Sequence, residues 1–376
     1  MAVDADYMFV ADDETQVLRL FSRRFDGPPL WQRDFTSSLG LTDLDELGHP
    51  REVDIEASLR VGSRIYWLGS HSNCGGCTPV GESRPNRNRL FATDIVGTGA
   101  TAQLRYVGRY HNLKRDLLAW DNANGHGLGP RALQLAASAA AGVPPENVQR
   151  TGFNIEAFGL APDGSAAYLG FRSPLTPASG RTNALLIPIL NLPDLVRDSP
   201  SMGPARFGRP LELALDGRGF RSLDSSPNGM VIVAGTTTNT GSFLIYTWTG
   251  VAGEPPQERL VSFSVAKPEG LLADGAFATG TQIQLISEGD VDTRSEYVML
   301  GPPIPMITSV NWTDATGVRL SILGRSATAY DIEAADDGGT WRFVQQIRMS
   351  GGPLLWTNST LPAAQYRLFR VRYPAR

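Results

Sequence analysis

One unit recurs along this chain: an acidic or amide residue, a turn, a run of four to six apolar residues, then Gly or Ser beside a polar side chain. The first copy reads Asp54-Ile-Glu-Ala, then Gly62, then Ile65–His71. A second reads Asn154-Ile-Glu-Ala, then Pro162-Asp-Gly164, then Ala167–Arg172. A third runs from Arg221–Asp224 through Asn228-Gly229 to Met230–Gly235, and a fourth from Pro268-Glu-Gly-Leu to Ile283–Glu288. The opening segment Tyr7–Asp13 matches the second half of the unit. Chains built from such repeats bury each unit against its neighbours.

Each copy is followed by further strand-like runs, among them Val17–Phe21, Arg89–Thr93, Ala184–Ile189 and Phe243–Trp248. The first run after each acidic turn is apolar without clean alternation, as expected of a strand covered on both faces. The later runs alternate, as outer strands do. With 40 Gly and 26 Pro punctuating short apolar runs, the chain reads as all-β. The expected architecture is a β-propeller of five blades, with a sixth as alternative if Leu113–Gln149 hides one. A β-sandwich with many insertions accounts less well for repeats at irregular intervals of tens of residues.

After Gly301-Pro-Pro-Ile-Pro305 the character changes. Val318–Ile322, Ala329–Ala334, Trp341–Gln345 and Tyr366–Arg372 alternate strictly, predicting antiparallel strands with one solvated face. The expected division is a propeller over residues 1–300, a Pro-rich linker over 301–306 and a small β-sandwich over 307–376. Arg131–Val143, rich in Ala, is expected to form one amphipathic helix on the outside.

The net charge of −4 names no partner, and the only basic cluster, Arg84–Arg89, is too short for nucleic acid. Its arginines suit pairing with local acids better than binding a phosphate or carboxylate. No stretch approaches the ~20 apolar residues of a membrane span. Acidic and turn-forming residues follow Met1 directly, so no signal peptide is read. Cys74-Gly-Gly-Cys77 is the only cysteine pair, and its two glycines allow a tight disulfide. A redox pair or half a zinc site with His71 are the other readings.

Asp12, Glu56, Glu156 and Glu269 are expected at corresponding points of separate repeats, near one mouth of a central channel. Converging carboxylates repel and call for a cation, a shared proton or arginines. His71, Arg172 and Arg221 begin or follow the same strands. Two site chemistries fit, a calcium centre or an acid–base cluster; in the first, Asp12, Glu56, Glu156 and Glu269 hold the ion, Arg172 and Arg221 stabilise developing negative charge and His71 serves as acid or base. The bland alternative has each acid capping its own turn.

Taken together, Arg84-Pro-Asn-Arg-Asn-Arg-Leu-Phe-Ala92, Asn154-Ile-Glu156, Tyr168–Pro174, Leu185–Pro188 and Pro268-Glu-Gly-Leu271 resemble a bacterial β-propeller family without an assigned activity. That family is distantly similar to esterase-like phytase propellers. The likeness covers about residues 6–300, and the tail resembles small modules at the C-termini of secreted bacterial proteins. Two departures stand out: Asn154-Ile-Glu-Ala-Phe-Gly-Leu160 replaces a shorter Asn-Ile-Glu-Gly-Leu, and Cys74 and Cys77 are added. The resemblance implies a secreted or periplasmic protein and a metal-assisted hydrolase of an ester, lactone or phosphoester. The competing expectation is a non-catalytic envelope or matrix protein that binds a glycan or protein.

Overall fold

The computed structural model describes residues 1–198, 202–275, 277–287, 294–313, 317–336, 340–350, 352–359 and 368–374. Glu288, Tyr366 and Arg367 of the repeats above lie outside the described residues. The chain forms two compact units. The first comprises Met1–Pro256, Phe263–Phe277 and Thr281–Val298; the second comprises Gln257–Ser262, Ala278–Gly280 and Met299–Arg376. Strand makes up 44% and helix 8%, so the fold is all-β. Among the described residues no helix is long and apolar enough to cross a membrane.

Antiparallel sheets build the first unit, each following the chain from strand to strand. Strands β1 (Tyr7–Ala11), β2 (Val17–Ser22) and β3 (Trp31–Asp34) form the first. The second holds β4 (Ile55–Val61), β5 (Arg64–Gly69), β6 (Leu90–Val96) and β7 (Gln103–Tyr110). The third holds β8 (Asn154–Leu160), β9 (Ala167–Ser173), β10 (Ala184–Ile189) and β11 (Leu211–Leu213). In the fourth, β12 (Gly219–Ser226), β13 (Gly229–Gly235) and β14 (Leu244–Trp248) pair in that order. The next strand, β15 (Gln257–Arg259), belongs to the second unit. The fifth sheet is β16 (Pro268–Leu272), β17 (Gln282–Ser287) and β18 (Arg294–Met299).

Apolar side chains join each sheet to the next. Phe9, Leu18 and Leu20 pack with Ile55, Ile65 and Trp67 between the first and second. Tyr66, Leu68 and Leu90 meet Ile155, Phe158 and Leu169 between the second and third. Ala157, Tyr168 and Leu186 meet Phe220, Leu223 and Ile232 between the third and fourth. The fourth touches the fifth where Asp224 Oδ2 accepts the Ala273 amide at 2.6 Å. The fifth returns to the first through Leu272, Ile286 and Met8, and Arg23 donates to Gln284 Oε1 at 2.9 Å. Strands β8, β9, β10 and β13 are buried on both faces, which explains why their sequences do not alternate.

Close approach between sheets selects glycine. A Cβ on Gly219, at the start of β12, would lie 2.0 Å from the Arg172 carbonyl oxygen at the end of β9. One on Gly170 would lie 2.8 Å from the Phe220 ring of the fourth sheet.

The stretch Leu113–Gln149 contributes no sixth sheet. It contains the helix Leu113–Asn122 and a single turn, Leu135–Ser138, with Leu113, Leu117, Leu133 and Leu135 buried in the core between the second and third sheets. The expected helix over Arg131–Val143 shrinks to that turn. Gln134 enters it in the left-handed conformation, and Gly142 followed by Pro144-Pro145 stops it.

In the second unit β15 pairs antiparallel with β19 (Pro303–Ile304). Strands β20 (Met306–Trp312), β21 (Val318–Leu323) and β24 (Leu354–Asn358) form one three-stranded sheet. Strands β22 (Ala329–Ala335), β23 (Trp341–Arg348) and β25 (Leu368–Arg372) form another. Val318, Leu320 and Ile322 of the first share a core with Tyr330, Ile332 and Ile347 of the second.

Candidate functional site

Four first-unit strands carry the same irregularity. The pairing of β4 with β5 skips between Ile55 and Ala57, leaving Glu56 as the extra residue. In β8 it skips between Ile155 and Ala157, at Glu156. In β12 it skips between Phe220 and Ser222, at Arg221, and in β16 between Pro268 and Gly270, at Glu269. A β-bulge frees one residue from the ladder and re-aims its side chain. Here the four freed residues are Glu56, Glu156, Arg221 and Glu269, and their side chains come together.

Glu156 is the centre, with a side chain only 1% exposed. Its Oε1 accepts from Arg172 Nη1 at 3.0 Å, and Arg221 Nη1 stands 3.1 Å from its Oε2. Arg221 Nη2 also pairs with Glu269. Arg172 is held from several sides: its Nη2 donates to the Thr238 carbonyl and to Asn239 Oδ1, both at 2.8 Å, and Nη1 lies 3.4 Å from Glu146. Asn154 Nδ2 completes the group by donating to Glu156 Oε1 at 2.7 Å. Both oxygens of this deeply buried carboxylate thus face guanidinium groups, the partners that burying such a group requires.

Glu56 differs. It is half-buried, and burial followed by the negative charges of Glu156 and Asp54 pushes its carboxyl well above the usual range. Asp54, two residues earlier, is raised to about 6 by burial, against the pull of Arg87, with Asp13 and Glu52 adding to the rise. Arg87 Nη1 pairs with Asp54 at 2.9 Å and donates to Ser72 Oγ at 2.7 Å; its Nη2 pairs with Glu52 at 2.8 Å.

These groups surround a cavity of about 380 Å³. Its described wall holds six acids, Asp13, Glu14, Asp54, Glu56, Glu146 and Glu269, against four bases, Arg87, Arg172, Arg221 and Lys267. Glu56 and Glu269 are shared with a wider cavity of about 1150 Å³, lined by β1, β4, β8, β12 and β16. Cys74 and Cys77 form a disulfide, and the Gly75-Gly76 it encloses lies on the rim of the smaller cavity.

The structure thus brings together Glu56, Glu156, Glu269, Arg172 and Arg221. His71 is elsewhere. Its ring is fully buried, its Nδ1 lies 2.7 Å from the Gly69 carbonyl, and it lines neither cavity. Burial holds the imidazole down to about 3, outweighing that carbonyl, so it is no acid or base near neutrality. A positive φ of 59° carries His71 out of the alternation of β5, which is why its place in the repeat misleads. Asp12 follows β1 and faces the wider cavity only, tied to Arg19 at 2.7 Å.

A calcium ion held by Asp12, Glu56, Glu156 and Glu269 does not fit this arrangement. Guanidinium groups already occupy the positions facing Glu156 and Glu269, and Asp12 is engaged by Arg19. Neither do the arginines of Arg84–Arg89 offer an anion site: Arg84 pairs with Glu82 at 2.7 Å, and Arg89 caps the Leu39 and Gly40 carbonyls.

Asp54, Arg87, Glu146 and Asn154 join the site without having been expected there. Asp54 and Asn154 had a visible signal, each standing two residues before a site glutamate in a repeat. Glu146 lies in an irregular loop with none. No protein-family model matches this chain, and no curated protein matches it.

Proposed function

We propose that the first unit is a five-bladed β-propeller, working outside the reducing cytoplasm, that hydrolyses an ester or lactone in the charged cavity without a metal ion. The single observation behind this reading is the pairing of opposite environments. Burial pushes the Glu56 carboxyl well up, while two guanidinium groups face Glu156. Neighbouring carboxyl groups in such opposite environments suit an acid working beside a fixed electrostatic framework.

In this reading Glu269, half-buried on the cavity wall, takes a proton from water as that water adds to the carbonyl carbon. Arg221 and Arg172 supply a fixed positive field for the developing oxyanion, held by Glu156 so that no reorganisation is needed during reaction. Glu56 then donates its proton to the leaving alkoxide as the C–O bond breaks; Glu269 releases its proton to solvent and Glu56 takes one up, leaving acid and alcohol as products. A phosphoester is a poorer candidate, because its charge would compete with carboxylates for the same arginines.

Support for the propeller comes from the succession of sheets, each packed on the next with the fifth returning to the first. The suspected family resemblance agrees with it. The disulfide supports an extracytoplasmic location, since such bonds persist in oxidising compartments. The test is a pH-stat screen of esters, lactones and phosphoesters in EDTA and in calcium. EDTA-resistant turnover of an ester or lactone is expected; turnover only with calcium would refute the metal-free mechanism.

A second reading attaches to the C-terminal unit alone. Phe343 is 62% exposed, and the Arg370 guanidinium lies 4.2 Å from the Trp341 ring centroid in the same sheet. Aromatic and cationic side chains of this kind suit an adaptor that docks on a glycan, and pull-down of the isolated polysaccharide by wild type but not by Phe343→Ala would support it.

A further inference from the structure

One residue in the wall of the smaller cavity carries a buried acceptor that lacks a donor among the described residues. Asn154 is 2% exposed and sits in its wall. Its Nδ2 must face Glu156, because a carboxylate accepts and does not donate; the amide orientation is therefore fixed. Its Oδ1 consequently points the other way, buried and without a hydrogen-bond partner among the described residues. An unsatisfied buried oxygen is costly and asks for an O–H or N–H from a ligand.

The rest of the wall asks for the same chemistry. Six described acids face four bases, so carboxyl oxygens outnumber the cationic groups on the wall. Arg172 and Arg87 are each committed to several oxygen partners, so an anionic ligand would have to break ion pairs to reach them. A ligand rich in hydroxyl groups meets spare acceptors instead. Phe243 adds a half-buried apolar surface to the wall, with the Arg221 guanidinium carbon 5.7 Å from its ring centroid. At about 380 Å³ the space is within the ~300–1,000 Å³ of small-ligand sites.

We propose that this cavity selects a neutral polyhydroxylated ring, a sugar lactone or the sugar part of a sugar ester, with one hydroxyl donated to Asn154 Oδ1 and a C–H face laid on Phe243. The inference rests on the hydrolytic reading for the bond that is broken, but recognition of the ring is a separate property with a separate readout.

The experiment is calorimetric titration of the whole protein with glucose, glucosamine, gluconate and glucose 6-phosphate, beside turnover of uncharged sugar lactones. Saturable binding of glucose is expected, at least tenfold tighter than either anion. Asn154→Ala should weaken it about tenfold, the loss of one hydrogen bond. Phe243→Leu, which leaves the Glu156 cluster intact, should also weaken it and guards against a folding defect in the first variant. Tighter binding of an anion or of glucosamine, or no binding of any sugar, overturns the proposal. Sugar binding without lactone turnover would sink the hydrolase and leave this inference standing. Turnover of apolar esters without sugar binding would do the reverse.

Discussion

Arg221 Nη1 lies 3.1 Å from Glu156 Oε2, although the two residues belong to different sheets and stand 65 positions apart. Each is the extra residue of a β-bulge, and each side chain is almost wholly buried. Arg221 also pairs with Glu269, so one guanidinium ties together the third, fourth and fifth sheets. The candidate site is therefore also a structural joint.

Removing one partner of such a pair leaves a buried charge uncompensated. Arg221→Met is expected to destabilise the protein by about 3–5 kcal/mol in urea unfolding. Adding Glu156→Gln should recover part of that loss, because the stranded carboxylate is gone. Additive effects of the two substitutions would mean that the pair is not coupled.

Raised carboxyl groups make stability depend on pH in a definite direction. Glu56 and Asp54 hold protons more tightly in the folded chain than in the unfolded one. The native state thus binds more protons over the interval above the ordinary carboxyl range, and stability falls as pH rises through it, for Asp54 through about 6. Each such proton contributes a slope of at most about 1.4 kcal/mol per pH unit. Glu56→Gln abolishes its share. Thermal melts should show the variant gaining on wild type as pH rises through and above the ordinary carboxyl range. A constant difference across that range would count against the raised value.

The disulfide spans a sequence separation of three, so it closes a very short loop. Loop-closure entropy for so few residues amounts to only about 2 kcal/mol. Replacing both Cys74 and Cys77 by Ser should lower stability by no more than that, while raising KM through the freed Gly75-Gly76 rim. An unchanged KM would remove the rim loop from the site.

Gly219 tests the fit between sheets. An alanine there would drive its Cβ into the Arg172 carbonyl, which is backbone and has nowhere to go. Gly219→Ala should cost about 1–3 kcal/mol by overpacking and displace Arg172 from Glu156. Near-wild-type stability would contradict that approach distance.

Much of the first unit was legible because its repeat marks the chain in sequence as well as in space. Asp54-Ile-Glu56 and Asn154-Ile-Glu156 announce corresponding strand starts, and Glu56, Glu156 and Glu269 do meet. The reason they meet was hidden. A bulge is a property of register between two strands, and nothing in the composition of β4, β8, β12 or β16 shows where a ladder will skip. The fourth sheet puts an arginine at that position, so a search for repeated acids finds Arg221 only as a neighbour. His71 misled for a backbone reason, since its left-handed conformation breaks the alternation on which its expected direction relied. Leu113–Gln149 looked unpatterned because it packs as a helix and loops over the core between two sheets, with no strand period to read.

The central claim is that Glu56 holds its proton well above the ordinary carboxyl range, beside a Glu156 clamped by Arg172 and Arg221. The most direct measurement is an infrared difference spectrum of wild type minus Glu56→Gln across a pH titration, reading the protonated-carboxyl carbonyl band. A band that persists well above the ordinary carboxyl range before it bleaches is the predicted result. Titration at about 4.3, like an ordinary glutamate, would contradict the acid role assigned to Glu56 and the hydrolytic reading built on it.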